Sequence, residues 1–407
     1  MNGCTGSLRS VHQDDFDTWR QIIDIGADLR LTAAQAAERT SGKHLHCIEL
    51  WMPGKCNLHC RHCYVASHES KGILSKADYY RLTVQSVKDG LIDVVVPGME
   101  PLLRRELWTV LDAARDAKAR SVGLTTNATL LDKNAVRLHD SSLTVLNVSL
   151  DGPPKVHDRI RGHGVHKKLA QGVRTFRSVS DKRLLTNTTV NAENINCLVE
   201  IAAWSLEFGV DYSAFHPYEL ADEAENSLAL TPPEATEGYA HLFESFRQGR
   251  TSSIVLEAEA STFWVIVKLA QRGILDDAHL VIDEAGFLFL RETCGDRELL
   301  VGLNFYPHHF IRTIRVADDG GISSCRSMAR VGWHGIGDLR RNSVRELIHS
   351  PDAIRALELI WSEFRDAQRS LEGESLQWFL NFVGSKVESN PVEYFPRSFP
   401  VHNVAAA

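Results

Sequence analysis

The chain has 407 residues, of which 43% are hydrophobic and 24% are charged. These proportions are ordinary for a soluble globular protein and exclude a disordered, collagen-like or coiled-coil chain. The formal net charge of −7 argues against electrostatic attraction to nucleic acid or to an anionic membrane surface. No apolar run reaches the roughly 18 residues of a membrane-spanning helix, and the first residues lack the apolar segment of a signal peptide. We therefore expect a cytoplasmic protein with neither a nucleic-acid nor a membrane partner.

From residue 44 onward, short β-rich apolar runs alternate with amphipathic helical patterns. The runs lie at 46–52, 92–97, 121–125, 144–150, 184–190 and 211–215, and helical patterns separate them at 76–88, 103–117, 132–139, 167–178 and 195–208. Strand alternating with helix predicts βαβ units and a parallel sheet, hence an α/β protein. Six units favour a partial (β/α)6 TIM-like barrel over a complete eight-fold barrel. A flat, doubly wound sheet is the alternative that the pattern leaves open.

The regular alternation of strand and helix patterns ends after residue 215. A helical pattern covers 239–246, and residues 254–290 look helical and then strand-like. Residues 310–323 alternate in hydrophobicity around an Asp-Asp-Gly-Gly turn, which predicts a β-hairpin. Further helical patterns follow at 343–349, 352–367 and 377–383, and the proline-containing residues 390–407 predict a mobile tail.

Three of the eight cysteines lie within one eight-residue window directly after the first predicted strand. Cys56, Cys60 and Cys63 have the spacing C-x3-C-x2-C, in a loop that a strand–helix barrel places on its carboxyl-terminal face, where active sites are built. Three thiolates so spaced can converge on one metal centre. As three ligands of a [4Fe–4S] cluster, they would leave one iron open for a substrate or cofactor. The alternative is a zinc knuckle completed by His59 or His62, although no second cysteine pair follows nearby.

The cysteine motif, which ends in Tyr64, resembles the signature of the radical S-adenosylmethionine (radical SAM) superfamily. Further marks of that family recur in order at successive strand ends, over about residues 44–220. They are Pro97-Gly98-Met99-Glu100-Pro101 beside G-G-E-P, Thr125-Thr-Asn127-Ala128 beside T-N-G, Ser149-Leu-Asp151-Gly152 beside S-[LI]-D-G, and His157-Asp-Arg-Ile-Arg161-Gly beside H-D-x-x-R-G. Met99 stands where the family usually has a second glycine.

The resemblance implies a [4Fe–4S] cluster held by the three cysteines, with S-adenosylmethionine chelated at the open iron. The cofactor-binding residues that it implies are Tyr64, Gly98, Glu100, Asn127, Ser149, Asp151 and Arg161. In that reading Glu100 faces the ammonium group of S-adenosylmethionine, Ser149 and Asp151 face the ribose hydroxyls, and Arg161 faces the methionine carboxylate. Considered alone, the Ser149–Asp151 segment also fits a turn with a helix cap, and Arg161 also fits a solvated loop charge.

The implied chemistry is reductive cleavage of S-adenosylmethionine, which gives a 5′-deoxyadenosyl radical that abstracts a hydrogen atom from the substrate. Such an enzyme needs an external one-electron donor of the flavodoxin or ferredoxin type. Whether the reaction is of the oxidoreductase, lyase or epimerase type does not follow from the sequence.

The carboxyl-terminal half resembles the SPASM or twitch extension of some radical SAM enzymes, in which a hairpin delivers cysteine ligands to an auxiliary cluster. Cys294 and Cys325 are the possible ligands of such a second cluster. A full extension carries seven cysteines and none follows Cys325, so two complete auxiliary clusters are excluded. One cluster would need further ligands from Cys4, Cys47, Cys197 or other groups. We favour a degenerate hairpin that retains the fold without the metal.

These features divide the chain into a helical segment (1–43), the core barrel (44–250), a smaller α+β SPASM/twitch-like region (251–350), carboxyl-terminal helices (351–389) and the tail (390–407). His216, Tyr218 and Glu219 close the sixth predicted strand, where they are candidate catalytic residues that contact a polar substrate or relay a proton. A structural strand-end turn is the alternative. The short segment before the first strand and the few cysteines near the carboxyl terminus favour a small polar substrate, a sugar or nucleoside in natural-product biosynthesis, over a ribosomally made peptide. A zinc-binding structural or adaptor protein is the alternative from another class.

Overall fold

The computed structural model describes residues 32, 34–35, 47–52, 54, 56–63, 72, 74–218, 227–257, 263–283, 288–303, 313–323, 337–370, 374–389 and 393–395. The strands are β1 (Cys47–Leu50), β2 (Asp93–Val96), β3 (Ser121–Thr126), β4 (Val145–Ser149), β5 (Arg183–Val190), β6 (Tyr212–Pro217), β7 (Ser253–Leu256), β8 (His279–Asp283), β9 (Leu288–Cys294), β10 (Arg297–Gly302), β11 (Thr313–Val316), β12 (Ile322–Ser323) and β13 (Glu393–Phe395). The helices are α1 (Lys76–Lys88), α2 (Glu106–Asp116), α3 (Leu131–His139), α4 (Pro154–Arg161), α5 (Val165–Val179), α6 (Leu198–Glu207), α7 (Pro232–Arg247), α8 (Phe263–Gln271), α9 (Val344–Ile348), α10 (Pro351–Ser370) and α11 (Glu374–Ser389), with 3-10 turns at Pro101–Leu103 and Ile195–Cys197.

All these strands form one sheet in the order β12-β11-β1-β2-β3-β4-β5-β6-β7-β10-β9-β8-β13. Strands β1 to β6 are parallel, each beside its successor, and at least one helix follows each of them. This arrangement confirms the predicted partial barrel of six strand–helix units. The edge strands β12 and β13 do not pair with each other, so among the described residues the sheet is open rather than closed into a barrel.

Local sequence signals set the ends of several helices. Ser75 begins α1 with a capping box, because its hydroxyl accepts a hydrogen bond from the Asp78 N–H while the Asp78 carboxylate accepts one from the Ser75 N–H. The same reciprocal pair, Thr231 with Glu234, begins α7 ahead of its first-turn prolines. These caps turn the chain back over the sheet after the carboxyl end of each preceding strand.

The two faces of the sheet have different chemistry. The face beneath the helices holds the main apolar core, to which β2 contributes Val94 and Val96 and α7 contributes Phe243 and Phe246. The other, concave face carries a smaller apolar cluster towards the middle strands. Near the carboxyl ends of the strands, its residues are polar and buried. Because parallel strands are covered on both faces, their sequences read as nearly continuous apolar runs.

The sheet extends beyond the six predicted strands in both directions. The predicted hairpin is present as the antiparallel pair β11–β12, and β11 also pairs in parallel with β1. On the other side, β7 pairs in parallel with β6, although a helical pattern was expected to begin near residue 254. The expectation was wrong here because Ser253–Leu256 is a short run buried on all four residues, and periodicity does not separate such a strand from a buried helix.

Several expectations fall outside the described residues or are not decided by the fold. Most of the segment 1–43 and most of the tail 390–407 lie outside the described residues. The sheet continues across residue 250, and the division of the chain into five parts stays a prediction. None of the helices in the described part of the chain has both the length and the hydropathy to cross a bilayer.

Candidate active site

The cysteine loop follows β1 at the carboxyl edge of the sheet. Cys56, Cys60 and Cys63 are not in disulfide bonds; Cys60 is buried and the other two are half-buried. Cys56 and Cys63 pack against the buried side chains of Trp51 and Met99. The loop therefore has an apolar floor, which limits the access of water to the thiols.

The surroundings of the thiols fit an iron–sulfur cluster. The Leu58 N–H and the Asn127 side-chain amide donate to Cys56 Sγ at 3.4 and 3.7 Å, and Arg161 Nη1 lies 3.9 Å from Cys60 Sγ. Such donors stabilise the thiolate sulfurs of a bound cluster. Burial raises the pKa of Cys60 to about 11, so the thiol needs a bound metal to lose its proton near neutral pH.

The loop is not arranged around a single ion. Among the described residues, no three Cys, His, Asp or Glu side chains converge closely enough to hold one metal ion. In a [4Fe–4S] cluster each cysteine binds a different iron, so the three sulfur atoms do not have to converge on a single metal position.

Glu100 lies at the end of β2 and is completely buried. Its Oε1 accepts hydrogen bonds from the Leu102 N–H at 3.0 Å and the Thr126 hydroxyl at 2.8 Å, and its Oε2 accepts one from the Asn127 N–H at 2.8 Å. Burial nevertheless raises the pKa of Glu100 to about 7. A cation placed beside this carboxylate would therefore be strongly favoured.

The backbone before Glu100 takes an unusual path. Gly98 and Met99 both have positive φ, +72° and +49°. A Cβ on Gly98 would lie 3.2 Å from the Trp51 ring, so glycine permits the close approach of the strand end to the loop floor. Met99 accepts the strained conformation while its side chain packs beside Cys56 and Cys63. Met99, which stands where the family usually has a second glycine, therefore adds backbone strain and side-chain packing at this strand end.

Asn127 links β3 to the cysteine loop. Its side-chain amide donates to Asn57 at 2.8 Å and reaches Cys56, while its Oδ1 accepts from the Thr129 N–H at 3.0 Å. The Asn57 amide in turn donates to the Thr129 hydroxyl at 2.8 Å. These bonds fix the loop against the third strand end. Asn57 and Thr129 were not selected from the sequence, where nothing distinguished them from ordinary turn residues.

Asp151 and Arg161 form a buried ion pair between the end of β4 and the end of α4. Burial opposes ionisation of Asp151, but Arg161 and the nearby histidines hold its pKa below the usual range. Asp151 Oδ1 also accepts from the Thr189 N–H at 3.1 Å, and Arg161 Nη2 lies 3.3 Å from His62 Nε2. Burial lowers the pKa of His62 to about 4, so the imidazole is neutral at pH 7. Arg161 is thus not a solvated surface charge.

Two further buried groups complete this corner. Ser149 is the last residue of β4, and its hydroxyl has no hydrogen-bond partner among the described residues. His157 accepts a hydrogen bond from the Asp151 N–H at 3.1 Å, and burial lowers its pKa to about 3. An orphaned hydroxyl beside the Asp151–Arg161 pair is what a site for a polar ligand requires.

The sixth strand end holds a second polar pair. His216 is buried, and its Nδ1 lies 3.0 Å from Oε2 of Glu257, the residue after β7. Tyr218 is half-buried, and its N–H donates to the Val190 carbonyl at 2.8 Å, which extends the β5–β6 pairing. Glu257 escaped the sequence analysis because β7 was read as helical, so the strand-end position of this carboxylate was not recognised.

The remaining predicted site residues are separated or not described. Tyr64, Glu219 and Cys325 lie outside the described residues. Cys294 faces Arg297 across the β9–β10 turn, and Arg297 Nη2 lies 3.4 Å from its sulfur. This turn precedes β10, which is parallel to β7, so it lies at the amino-terminal edge of the sheet, opposite the cysteine loop. The auxiliary cluster on Cys294 and Cys325 stays a prediction.

Comparison with known proteins agrees with the family resemblance of the sequence motifs. Residues 52–204 match the family model of the Radical SAM superfamily. The chain is similar to this superfamily over that region, which is less than half of its length. A "Probable GTP 3',8-cyclase" of Methanocaldococcus jannaschii is 28% identical over 171 residues, which cover 41% of this chain and 57% of the relative. The protein of the same name from Methanococcus maripaludis strain C6 is 31% identical over 162 residues, covering 39% of this chain and 53% of the relative. The chain thus spans little more than half the length of these curated relatives.

Solved structures share the fold of this chain. Streptococcus suis SuiB, bound to the precursor peptide SuiA, superposes with a TM-score of 0.61 at 14% identity, covering 79% of this chain and 69% of SuiB. The enzyme anSMEcpe, with bound AdoMet and the Kp18Cys peptide, gives a TM-score of 0.56 at 18% identity, covering 77% and 83% of the two chains.

Radical SAM proteins use a [4Fe–4S] cluster and S-adenosylmethionine, and two of the structural neighbours were solved with the latter bound. This similarity supports an enzyme and disfavours the alternative of a zinc-binding structural or adaptor protein. The SPASM-like character of the carboxyl-terminal half stays a prediction.

Proposed function

We propose that the protein is a radical SAM enzyme that acts on a small polar substrate, a sugar- or nucleoside-like compound of natural-product biosynthesis. The observation that carries this proposal is the meeting of three features at one edge of the sheet. They are the three cysteines of the loop, the buried Glu100 carboxylate and the Asp151–Arg161 pair beside Cys60. Each comes from a different strand end, and no single structural role accounts for all three.

The residues divide the work of binding between them. Cys56, Cys60 and Cys63 would hold the cluster, and Glu100 would accept a charge-assisted hydrogen bond from the ammonium group of S-adenosylmethionine. Arg161 presents a rigid, buried guanidinium suited to a carboxylate. When bound, the two cofactors supply a 5′-deoxyadenosyl radical, with the electron delivered by an external donor of the flavodoxin or ferredoxin type.

Further binding roles are proposed for the neighbouring strand ends. Ser149 offers an orphaned hydroxyl to the ribose, and Asp151 is held in place by Arg161 and Thr189. Gly98 brings the second strand end close to the loop, and Asn127 braces Cys56. His216 faces the concave side, where it would meet the substrate rather than the cluster.

The polar lining of the concave face favours a small hydrophilic substrate. The curated relatives are named for a cyclase acting on GTP, a nucleotide, which agrees with this class. The alternative is maturation of a ribosomally made peptide, which is favoured by the peptides bound in the SuiB and anSMEcpe structures.

Anaerobic reconstitution followed by reduction with dithionite tests the proposal. Iron, sulfide and 5′-deoxyadenosine are measured for the wild-type protein, for the variant Cys56→Ala/Cys60→Ala/Cys63→Ala, and for Cys197→Ala as a matched control outside the loop. We expect about four irons per chain and 5′-deoxyadenosine in the wild type and the control, and neither in the triple variant. Zinc without sulfide, or a wild type that leaves S-adenosylmethionine intact, contradicts the proposal.

A second arm separates the substrate classes. Addition of a true substrate accelerates 5′-deoxyadenosine formation, so nucleotides, free sugars and candidate precursor peptides are compared in the same reduced assay. Stimulation by peptides alone favours the maturase alternative.

A further inference from the structure

Buried polar side chains form a row across three neighbouring strand ends of the concave face. Thr189 on β5 is in register with His216 on β6. The N–H of Glu257 donates to the Phe215 carbonyl at 3.0 Å, which places Glu257 beside His216 one strand further. Alternation along each strand puts all three side chains on the concave face, because Val190, Phe215 and Leu256 pack on the helix side.

The row is buried and unsatisfied. The Thr189 hydroxyl, both ring nitrogens of His216 and Oε2 of Glu257 have no aligned hydrogen-bond partner in the described part of the chain. The 3.0 Å approach of His216 Nδ1 to Glu257 Oε2 is an ion-pair distance without hydrogen-bond alignment. The side chains of His216 and Glu257 are only 4% and 7% exposed. Burial of polar groups without aligned hydrogen bonds is unfavourable, so a ligand that satisfies these groups is favoured.

We propose that Thr189, His216 and Glu257 bind a vicinal diol of the substrate, as found in a ribose or a free sugar. This inference rests on the proposed function and names the part of the substrate that the site recognises. A carboxylate can accept hydrogen bonds from both hydroxyls of a diol, as acidic residues do with ribose in dinucleotide-binding proteins.

The composition of the row favours hydroxyls over an ammonium group. The Thr189 hydroxyl both donates and accepts, the His216 imidazole carries at least one N–H donor, and the Glu257 carboxylate accepts. Hydroxyls both donate and accept, so a diol can satisfy the whole row. An ammonium group only donates, and it would leave the donors of Thr189 and His216 unpaired in a buried place.

The row also lies where a substrate must lie. The Thr189 N–H donates to Asp151, so the row begins next to the residue proposed to bind the ribose of S-adenosylmethionine. His216 is two strands from Asp151, which corresponds to about 10 Å across the sheet. A ring held by Glu257 and His216 would therefore extend towards the site where the radical is formed.

Binding measurements test the row with two probes, GTP for a nucleotide diol and methyl α-D-glucopyranoside for a free sugar. Equilibrium dialysis uses the anaerobically reconstituted protein with S-adenosylmethionine and compares each probe with its analogue without the diol, 2′,3′-dideoxy-GTP or the corresponding dideoxy sugar. The variants are Glu257→Gln, Thr189→Val and the exposed control Glu207→Gln.

We expect one probe to bind saturably and its deoxy analogue to bind at least about tenfold more weakly, since hydrogen bonds to a charged group contribute about 1.5–3 kcal/mol. The affinity of Glu257→Gln for the diol probe should fall at least tenfold, so that the preference for the diol over the deoxy analogue nearly disappears. The affinity of Thr189→Val for the diol probe should fall by a smaller factor, and Glu207→Gln should bind both probes as the wild type does. The ratio of diol to deoxy binding is measured within one variant, so a general loss of folding does not imitate this result.

Three outcomes overturn the inference: neither probe binds, the diol preference survives Glu257→Gln, or n-butylamine competes better than the diol probes. A wild type that forms 5′-deoxyadenosine under reduction but shows one of these outcomes refutes the diol site alone. Absence of 5′-deoxyadenosine refutes the proposed function instead.

Discussion

The buried carboxylate of Glu100 should make the stability of the cluster-free protein depend on pH in a way that Glu100→Gln abolishes. Burial raises the pKa of Glu100 from its ordinary value of 4.5 to about 7. The folded state therefore holds a proton that the unfolded state releases, and folding is favoured at low pH. This stabilisation is complete below about pH 4.5 and is lost as the pH rises through 7.

The size of the effect follows from the two pKa values. Each pH unit between them changes the free energy of unfolding by about 1.4 kcal/mol, so the wild type should lose roughly 2 kcal/mol between pH 5.5 and pH 8. A glutamine does not titrate. Its amide group also replaces one carboxylate oxygen, either the one that accepts hydrogen bonds from Leu102 and Thr126 or the one that accepts from Asn127. Since the amide group donates instead, the substitution lowers the free energy of unfolding by about 1–3 kcal/mol at all pH values.

Urea denaturation of the cluster-free wild type, Glu100→Gln and the exposed control Glu207→Gln at pH 5.5 and pH 8 measures the difference. His62 and His157 have lowered pKa values and titrate in the opposite direction, but they do so equally in all three proteins. The difference between wild type and Glu100→Gln therefore isolates Glu100. A parallel pH dependence in these two proteins would show that the carboxylate is not held protonated, and the reasoning would fail.

The remaining predictions concern three other buried or strained positions. Arg161→Met leaves Asp151 as an unpaired buried charge and should lower the free energy of unfolding by about 3–5 kcal/mol in urea; an unchanged midpoint would mean that the ion pair is exposed. Ala128 has a φ of +59° where the family often has glycine, so Ala128→Gly should stabilise the protein by about 0.5–1 kcal/mol, and a lower melting temperature contradicts this. Arg315→Met unpairs the buried Glu49, so the protein should unfold at lower urea concentration and bind less iron on reconstitution, whereas full iron binding would limit Arg315 to stability.

The core fold could be predicted because its signals are local. Each of the six strands is a short apolar run, and a helical pattern follows each one at a similar interval. The marks at the strand ends were also predictable, because parallel strands bring their carboxyl ends to one edge. The sequence therefore placed Cys56, Glu100, Asn127 and Asp151 together before any coordinates.

Contacts between distant parts of the chain could not be predicted in this way. The register of β11 beside β1 joins residues more than 260 positions apart, and no local pattern encodes it. The position of Glu257 could not be predicted either. It follows β7, a strand of four buried residues whose sequence shows no alternation of apolar and polar residues. His62 was considered only as a zinc ligand, whereas burial next to Asp151 and Arg161 gives it a different role.

The hairpin that suggested an auxiliary cluster has a contact that needs no metal. The Trp51 N–H, just before the cysteine loop, donates to the Val316 carbonyl at 3.0 Å, and the Leu74 N–H, just after it, donates to the Asp318 carbonyl at 3.1 Å. Arg315 of the same hairpin lies 5.1 Å from the Trp51 ring, which forms the floor beneath Cys56. Both flanks of the loop are thus tied to one hairpin. These hydrogen bonds join backbone atoms, so they hold the hairpin beside the cysteine loop without requiring iron in the hairpin.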